Sequence, residues 1–176
     1  MPRITLIGYR GTGKSTVAAI LARRLECPWH DADAVLESRI GGSIAWLVRE
    51  RGEPAFRDEE AAVLRDLLVR PGIVATGGGV VLRADNRALL RSQGGPVAWL
   101  QAPADVLRRR LAADPATAAR RPALSGVDPL AEVESALRER DPLYRDCADA
   151  TFDVATDPPE VIAGRILDWL ATGPRP

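Results

Sequence analysis

Gly8-Tyr9-Arg10-Gly11-Thr12-Gly13-Lys14-Ser15-Thr16 sets a lysine and a hydroxyl directly behind a glycine-rich turn, with the spacing G-x-x-x-x-G-K-[ST]. Those residue types in that order suit the binding of phosphate groups. Glycines let the backbone curl until successive N–H groups face one anion. A helix that starts just beyond adds its own unsatisfied N–H groups and the positive end of its dipole. Lys14 has the reach to meet β- and γ-phosphates, and the Ser15 hydroxyl is a ligand for Mg²⁺. Gly11, Thr12, Gly13, Lys14, Ser15 and Thr16 are therefore the candidate nucleotide-binding residues, and Lys14 is the only lysine in the chain.

Phosphoryl transfer also needs an acidic group near the metal and a group that orients the attacking hydroxyl. Asp31 and Asp33 end an extended piece that contains His30, the single histidine. Residues two apart on an extended segment project to the same side, which turns one carboxylate to the metal and one to the acceptor. The competing reading is that Asp33 N-caps a helix starting at Ala34. Further on, Phe56-Arg57-Asp58-Glu59-Glu60 offers an arginine able to clamp a carboxylate bidentately, oriented by Glu60 one turn away. A solvated charge cluster is the alternative for that segment. Gly77-Gly78-Gly79 follows an apolar run and invites close backbone approach to a ligand. No acid ends that run, so the metal-side acid common in phosphate-loop proteins is missing there, and the role falls to Asp31 and Asp33. Arg120 and Arg121 precede Pro122 in a Pro- and Gly-containing stretch over 114–129, read as a mobile loop whose arginine can neutralise charge on a phosphoryl group. Arg138 and Arg140 precede Asp141-Pro142-Leu143-Tyr144, and either reads equally as a helix-face charge.

The elements that must position these groups alternate. Strands are expected at 4–7, in a short piece before residue 31, at 73–76 and 97–100, with an edge strand over 151–154. Helices are expected after the phosphate loop, at 34–40, 44–51, 53–69, 84–91, 104–112 and 130–140, and around Ile162, Ile166 and Leu170. Alternation of this kind implies an α/β fold with a parallel sheet and helices on both faces. Ligands then gather beyond the carboxyl ends of the strands. The phosphate loop, Asp31/Asp33 and the triple glycine, distant in sequence, are all expected on that one rim.

Composition narrows the function classes. With 176 residues and 46% hydrophobic content, the chain suits one compact domain. Lys+Arg and Asp+Glu both total 24, so charge makes no case for nucleic acid. No apolar run approaches a membrane span, and with a strand expected almost at once no signal peptide is expected. Cys27 and Cys147 lack metal-ligand spacing and read as idle thiols in a reducing compartment. A cytoplasmic monomer with no nucleic-acid or membrane partner is the expectation.

Taken together, the motifs resemble those of shikimate kinase. Gly8–Thr16 is similar to that family's phosphate loop, and Asp31-Ala32-Asp33 to its D-x-D motif. Gly52-Glu53-Pro54-Ala55-Phe56-Arg57-Asp58-Glu59-Glu60 resembles G-E-x-x-F-R-x-x-E, and Ala75-Thr76-Gly77-Gly78-Gly79 the triple-glycine motif. Arg121-Pro122-Ala123-Leu124 is similar to the R-P-L-L of its lid, with Ala in place of the first Leu, and Arg140-Asp141-Pro142-Leu143-Tyr144 to R-x-P-L-Y. The resemblance implies a P-loop kinase of the nucleoside-monophosphate-kinase type, with five strands in the order 2-3-1-4-5 and a lid. It implies one domain over 1–176, with an acceptor region near 31–61 and a lid near 113–128. The implied reaction is ATP-dependent phosphorylation of the shikimate 3-hydroxyl, with Mg²⁺. Lys14, Asp33 and Arg121 would be catalytic. Asp33, Arg57, Gly78, Gly79 and Arg140 would bind shikimate, with Ile44 and Phe56 as an apolar wall. Val48 stands where the family often has a bulkier aromatic. Arg110 and Arg121 would join the phosphate loop in holding ATP, with Arg109 competing for the adenine contact. Ser15 and Asp31 would face the metal. Another small-metabolite kinase, such as gluconate kinase, or a nucleotide-binding module without catalysis, remains the alternative at this point.

Overall fold

The computed structural model describes residues 3–113 and 133–173. Its centre is a five-stranded sheet of β1 (Ile4–Ile7), β2 (Trp29–Asp31), β3 (Ile73–Ala75), β4 (Val97–Gln101) and β5 (Ala150–Asp153). The strand order is β2-β3-β1-β4-β5, and every pairing is parallel. That is the order the family resemblance implies. Successive side chains of a strand point to opposite faces, and here both faces are dry. Ile4 and Leu6 of β1, Ile73 and Ala75 of β3, and Ala98 and Leu100 of β4 enter one core. Ile7, Val97 and Trp99 enter a second, and Val74 a third. A parallel sheet buried on both sides reads as a continuous apolar run rather than an alternation, which is why Ile4–Ile7 carries a strand signal despite its shortness.

Helices cover each face. On one side lie α1 (Lys14–Arg24), α5 (Ala104–Ala113) and α7 (Pro159–Ala171), contributing Val17, Leu21, Leu107, Ile162 and Ile166. On the other lie α3 (Ile44–Leu68), α4 (Ala84–Gln93) and α6 (Val133–Cys147), contributing Leu64, Leu68, Leu90, Tyr144 and Cys147. Short α2 (Ala32–Ile40) packs Leu36 against Ile44, Leu47 and Phe56 of α3. Inside α3, Gly52 has φ 82° and ψ 168°, breaking it into two helical arms, as expected from 44–51 and 53–69. Pro54 follows at the start of the second arm, where its missing N–H breaks no helical bond.

Most boundaries shift by a residue or two, and two differences have a plain physical cause. Helix α2 begins at Ala32, not Ala34, because Asp31 is the N-cap: its Oδ1 accepts from the Asp33 and Ala34 N–H groups at 3.0 and 3.2 Å. Helix α6 does not stop at Arg140 but runs to Cys147 through Pro142. A proline inside a helix costs about 3 kcal/mol. The turns beyond it bury Tyr144 and Cys147 beside Trp99, and that packing outweighs the lost hydrogen bond. Both cysteines are free; burial, with Asp146 nearby, pushes the Cys147 thiol up to about 11, so it stays protonated and inert.

Gly72 joins three strands. Its carbonyl accepts from Arg3 N, the next residue's N–H donates to the Pro28 carbonyl, and its φ is 113°. A Cβ there would run into the Pro28 oxygen. Gly72→Ala is expected to lower the unfolding free energy by roughly 1–3 kcal/mol, seen as a fall in the denaturant midpoint. An unchanged midpoint would show that the β2–β3 approach tolerates a side chain.

Candidate functional site

Three loops leave the carboxyl ends of neighbouring strands. The register sets Asp31 of β2 and Leu6 of β1 level with Ala75 of β3, so the loops after these strands emerge on one rim. After β1 the phosphate loop turns on Gly11 and Gly13, with φ 81° and 83°, left-handed values that a side chain would strain. Gly8 lies so close to the Leu100 carbonyl that a Cβ would collide with it, and this seats the loop on β4. The Thr12 hydroxyl donates to the Tyr9 carbonyl at 2.8 Å, tying the loop across itself. Lys14 Nζ donates to the Gly8 and Tyr9 carbonyls at 2.8 and 2.9 Å, so its ammonium lies over the mouth of the loop, at the start of α1.

Ser15 and Asp31 meet directly: the Ser15 hydroxyl donates to Asp31 Oδ2. Asp31 thus uses one oxygen to cap α2 and turns the other to the phosphate loop. Asp33 is not on the extended segment. It sits in the first turn of α2, so Asp31 and Asp33 diverge through a helix start rather than through strand alternation. The alternative reading of Asp33 as the cap is likewise corrected, since Asp31 fills that place. At the end of β3 the Thr76 hydroxyl donates to the Leu6 carbonyl at 3.0 Å, occupying the place where a metal-side acid would stand.

The triple glycine lies between the phosphate loop and the candidate clamps. A Cβ on Gly78 would stand 3.0 Å from Arg10 N, and one on Gly79 would fall onto the Arg57 guanidinium. Arg57 is only 9% exposed. Its Nη1 donates to Glu60 Oε2 at 2.8 Å, while its Nη2 and Nε donate to Glu53 Oε1 at 3.0 and 3.2 Å. Its guanidinium lies 4.7 Å from the Phe56 ring centroid. Burial lowers its pKa, but the Glu60 and Glu53 carboxylates outweigh burial and hold it above the ordinary arginine value. Glu60 therefore orients Arg57 as the spacing suggests, and the solvated-cluster alternative does not hold for this pair. On the other side of the glycines, Arg140 Nη1 reaches the Gly78 carbonyl at 3.4 Å, and its guanidinium lies 5.4 Å from the Tyr9 ring centroid. Arg138 is exposed on the same helix. Arg57 and Arg140 thus come from distant helices to adjacent peptides of one loop.

A family model described as shikimate kinase matches residues 10–171. The chain belongs to the shikimate kinase family. It is 46% identical over 172 residues to the shikimate kinase of Oleidesulfovibrio alaskensis, covering 97% of this chain and 98% of that one. It superposes on the Acinetobacter baumannii shikimate kinase in complex with shikimate with a TM-score of 0.88 at 34% identity, covering 96% of this chain and 92% of that one. A gluconokinase from Sinorhizobium meliloti shares the fold at a TM-score of 0.55 and 18% identity, over 96% of this chain and 95% of that one.

Against this shikimate kinase frame, most sequence-predicted residues come together and a few do not. Arg110 Nη2 donates to the Val154 carbonyl at 2.6 Å and Nη1 to the Gly11 carbonyl at 3.4 Å, which places it beside the phosphate loop. Arg109 points away, exposed and paired with Asp105 at 3.3 Å. Ile44, Val48 and Phe56 share one apolar cluster. Arg120 and Arg121, with the rest of the 114–132 stretch, lie outside the described residues. Sequence reasoning gave no role to Glu53 or to Tyr9. The first was legible from its i,i+4 relation to Arg57; the second had no signal, because its contact with Arg140 joins the phosphate loop to a helix far along the chain.

Gly79→Ala tests this packing. With Arg57 held by Glu53 and Glu60, the added methyl must displace the guanidinium. We expect the KM for the acceptor substrate to rise about tenfold or more, equivalent to roughly 1.4 kcal/mol, with the KM for ATP little changed. Equal rises in both constants would contradict a local effect on Arg57.

Proposed function

We propose that this chain transfers the γ-phosphoryl group of ATP to the 3-hydroxyl of shikimate, giving shikimate 3-phosphate and ADP. The observation that carries this reading is the convergence of Arg57 and Arg140 on Gly78 and Gly79, next to a phosphate loop, in a chain of this family. A small anion with ring hydroxyls needs a carboxylate clamp, backbone donors and an acid that orients one hydroxyl. Arg57 and Arg140 supply the clamp, Gly78 and Gly79 the donors, and Asp33 the acid. The pocket wall is Ile44 and Phe56, with Val48 smaller than the aromatic that the family often has there.

In the transfer, Asp33 accepts the proton of the 3-hydroxyl as its oxygen forms a bond to the γ-phosphorus and the bond to the ADP oxygen breaks. Lys14 leaves the Gly8 and Tyr9 carbonyls and follows the charge that moves onto the bridging and γ oxygens. Gly11, Gly13, Ser15 and Thr16 offer backbone N–H groups, and Arg110 takes the adenine side. Arg121, outside the described residues, is assigned to neutralise charge on the transferring phosphoryl group. Mg²⁺ fits the donor set: Ser15 Oγ and the Asp31 oxygen turned to the phosphate loop are hard oxygen donors side by side, suited to an ion that keeps several waters. Those two residues would hold it, Asp31 directly or through water. When bound, the ion screens the charge of the β- and γ-phosphates. Among the described residues no helix is long and apolar enough to cross a membrane. We read the protein as a cytoplasmic monomer that folds as one domain.

An ADP-release assay across shikimate, gluconate and nucleoside monophosphates tests the acceptor. Turnover is expected with shikimate and not with the others; turnover with gluconate alone would replace this reading with another small-metabolite kinase. Asp33→Asn is expected to cut kcat by at least about 100-fold, the usual worth of a positioned acid–base group, while the Kd for ATP stays within about twofold. Parallel loss of turnover and ATP binding would remove Asp33 from the acceptor side.

A further inference from the structure

Tyr144 is fully buried on α6, its ring 5.6 Å from that of Trp99 and nearly parallel to it. Its hydroxyl donates to the Gly78 carbonyl, which also receives the longer Arg140 bond. That carbonyl and the Gly79 N–H belong to the same peptide unit. No peptide bond among the described residues is cis, and in a trans peptide the C=O and the next N–H point in opposite directions. Holding the Gly78 oxygen toward Tyr144 therefore turns the Gly79 N–H the other way, on a residue packed against Arg57. Gly78 and Gly79 are both buried, and among the described residues the Gly79 N–H has no acceptor. A buried N–H rarely stays unsatisfied, so this one is set for an oxygen that arrives with a ligand. Glycine needs such a hold: with no side chain at 78 or 79, nothing local stops the peptide from flipping.

We infer that Tyr144 is a positioning residue, whose hydroxyl fixes the Gly78–Gly79 peptide so that the Gly79 N–H donates to the acceptor substrate. This rests on shikimate as that acceptor. Burial also pushes the Tyr144 pKa well above the ordinary tyrosine value, so the hydroxyl remains a donor throughout the working pH range.

The test compares the wild type with Tyr144→Phe, which keeps the ring and removes the donor, and with Trp99→Phe, which weakens the same core but keeps the hydroxyl. Steady-state kinetics would vary shikimate and ATP separately, with unfolding midpoints measured alongside. Tyr144→Phe is expected to raise the KM for shikimate roughly three- to tenfold, the worth of about one hydrogen bond, and to leave the KM for ATP unchanged. Trp99→Phe is expected to lower the midpoint and leave both constants alone. A wild type active on shikimate with an unaltered KM in Tyr144→Phe overturns the role of Tyr144 alone. A wild type inactive on shikimate overturns the acceptor reading and this inference with it. A Trp99→Phe variant that matches the KM rise of Tyr144→Phe reduces the effect to core packing and overturns the inference. Should Tyr144→Phe fail to fold, ¹⁵N-glycine-labelled wild type decides: the Gly79 amide resonance is expected to move when shikimate is added without nucleotide, and an unmoved resonance overturns the role.

Discussion

A guanidinium held almost dry beneath the surface is the constraint on which the acceptor side of this molecule depends. Taking a charge out of water costs several kcal/mol unless it is paired and hydrogen-bonded. Arg57 meets that demand with Glu60 one turn on, Glu53 one turn back and the Phe56 ring face. All three come from one helical arm, which is why the segment reads as Gly-Glu, then Phe-Arg, then Glu. Gly52 makes the arm possible by breaking α3, so that the second arm starts afresh at Glu53 and Pro54. The same demand reaches across the sheet. A side chain at residue 79 would have to push the guanidinium out of its place between Glu53 and Glu60.

The nucleotide side obeys a different logic, that of backbone dipoles. The turn at Gly11 and Gly13 leads into α1, and Lys14 waits on two carbonyls of its own loop. Asp31 joins the halves: one oxygen caps α2, which carries Asp33, and the other meets Ser15 at the start of α1. A single carboxylate thus sets both the helix that carries Asp33 and the Ser15 hydroxyl of the phosphate loop. Tyr9 does similar work with its ring, which carries the contact of the phosphate loop to Arg140.

Much of this was legible in the residues. Strand and helix alternation is local and strong, so the elements and the parallel sheet could be read, and the break at Gly52 with them. The site motifs were legible because each is a short run with its own chemistry: glycines before Lys-Ser, Asp-x-Asp, Arg flanked by Glu. One error fell where long-range packing overrode a local signal, the other where a local cap went unread. Pro142 reads as a stop, yet α6 continues because Tyr144 and Cys147 have a core to enter. Asp31 and Asp33 read as strand neighbours on one side, yet the cap at Asp31 starts the helix two residues early.

By itself, then, the sequence determined the phosphate loop, the α/β alternation, the acidic and arginine candidates and the family they resemble, because these depend on residue type, spacing and period. Only the tertiary structure separated Arg110, which lies beside the phosphate loop, from Arg109, which pairs outward with Asp105, and set the motif arginine Arg140 against the Gly78 carbonyl. It also decided that Tyr144 reaches Gly78. Those choices turn on the rotation of a helix against a sheet and on contacts between residues dozens of positions apart, and a linear pattern carries no measure of either.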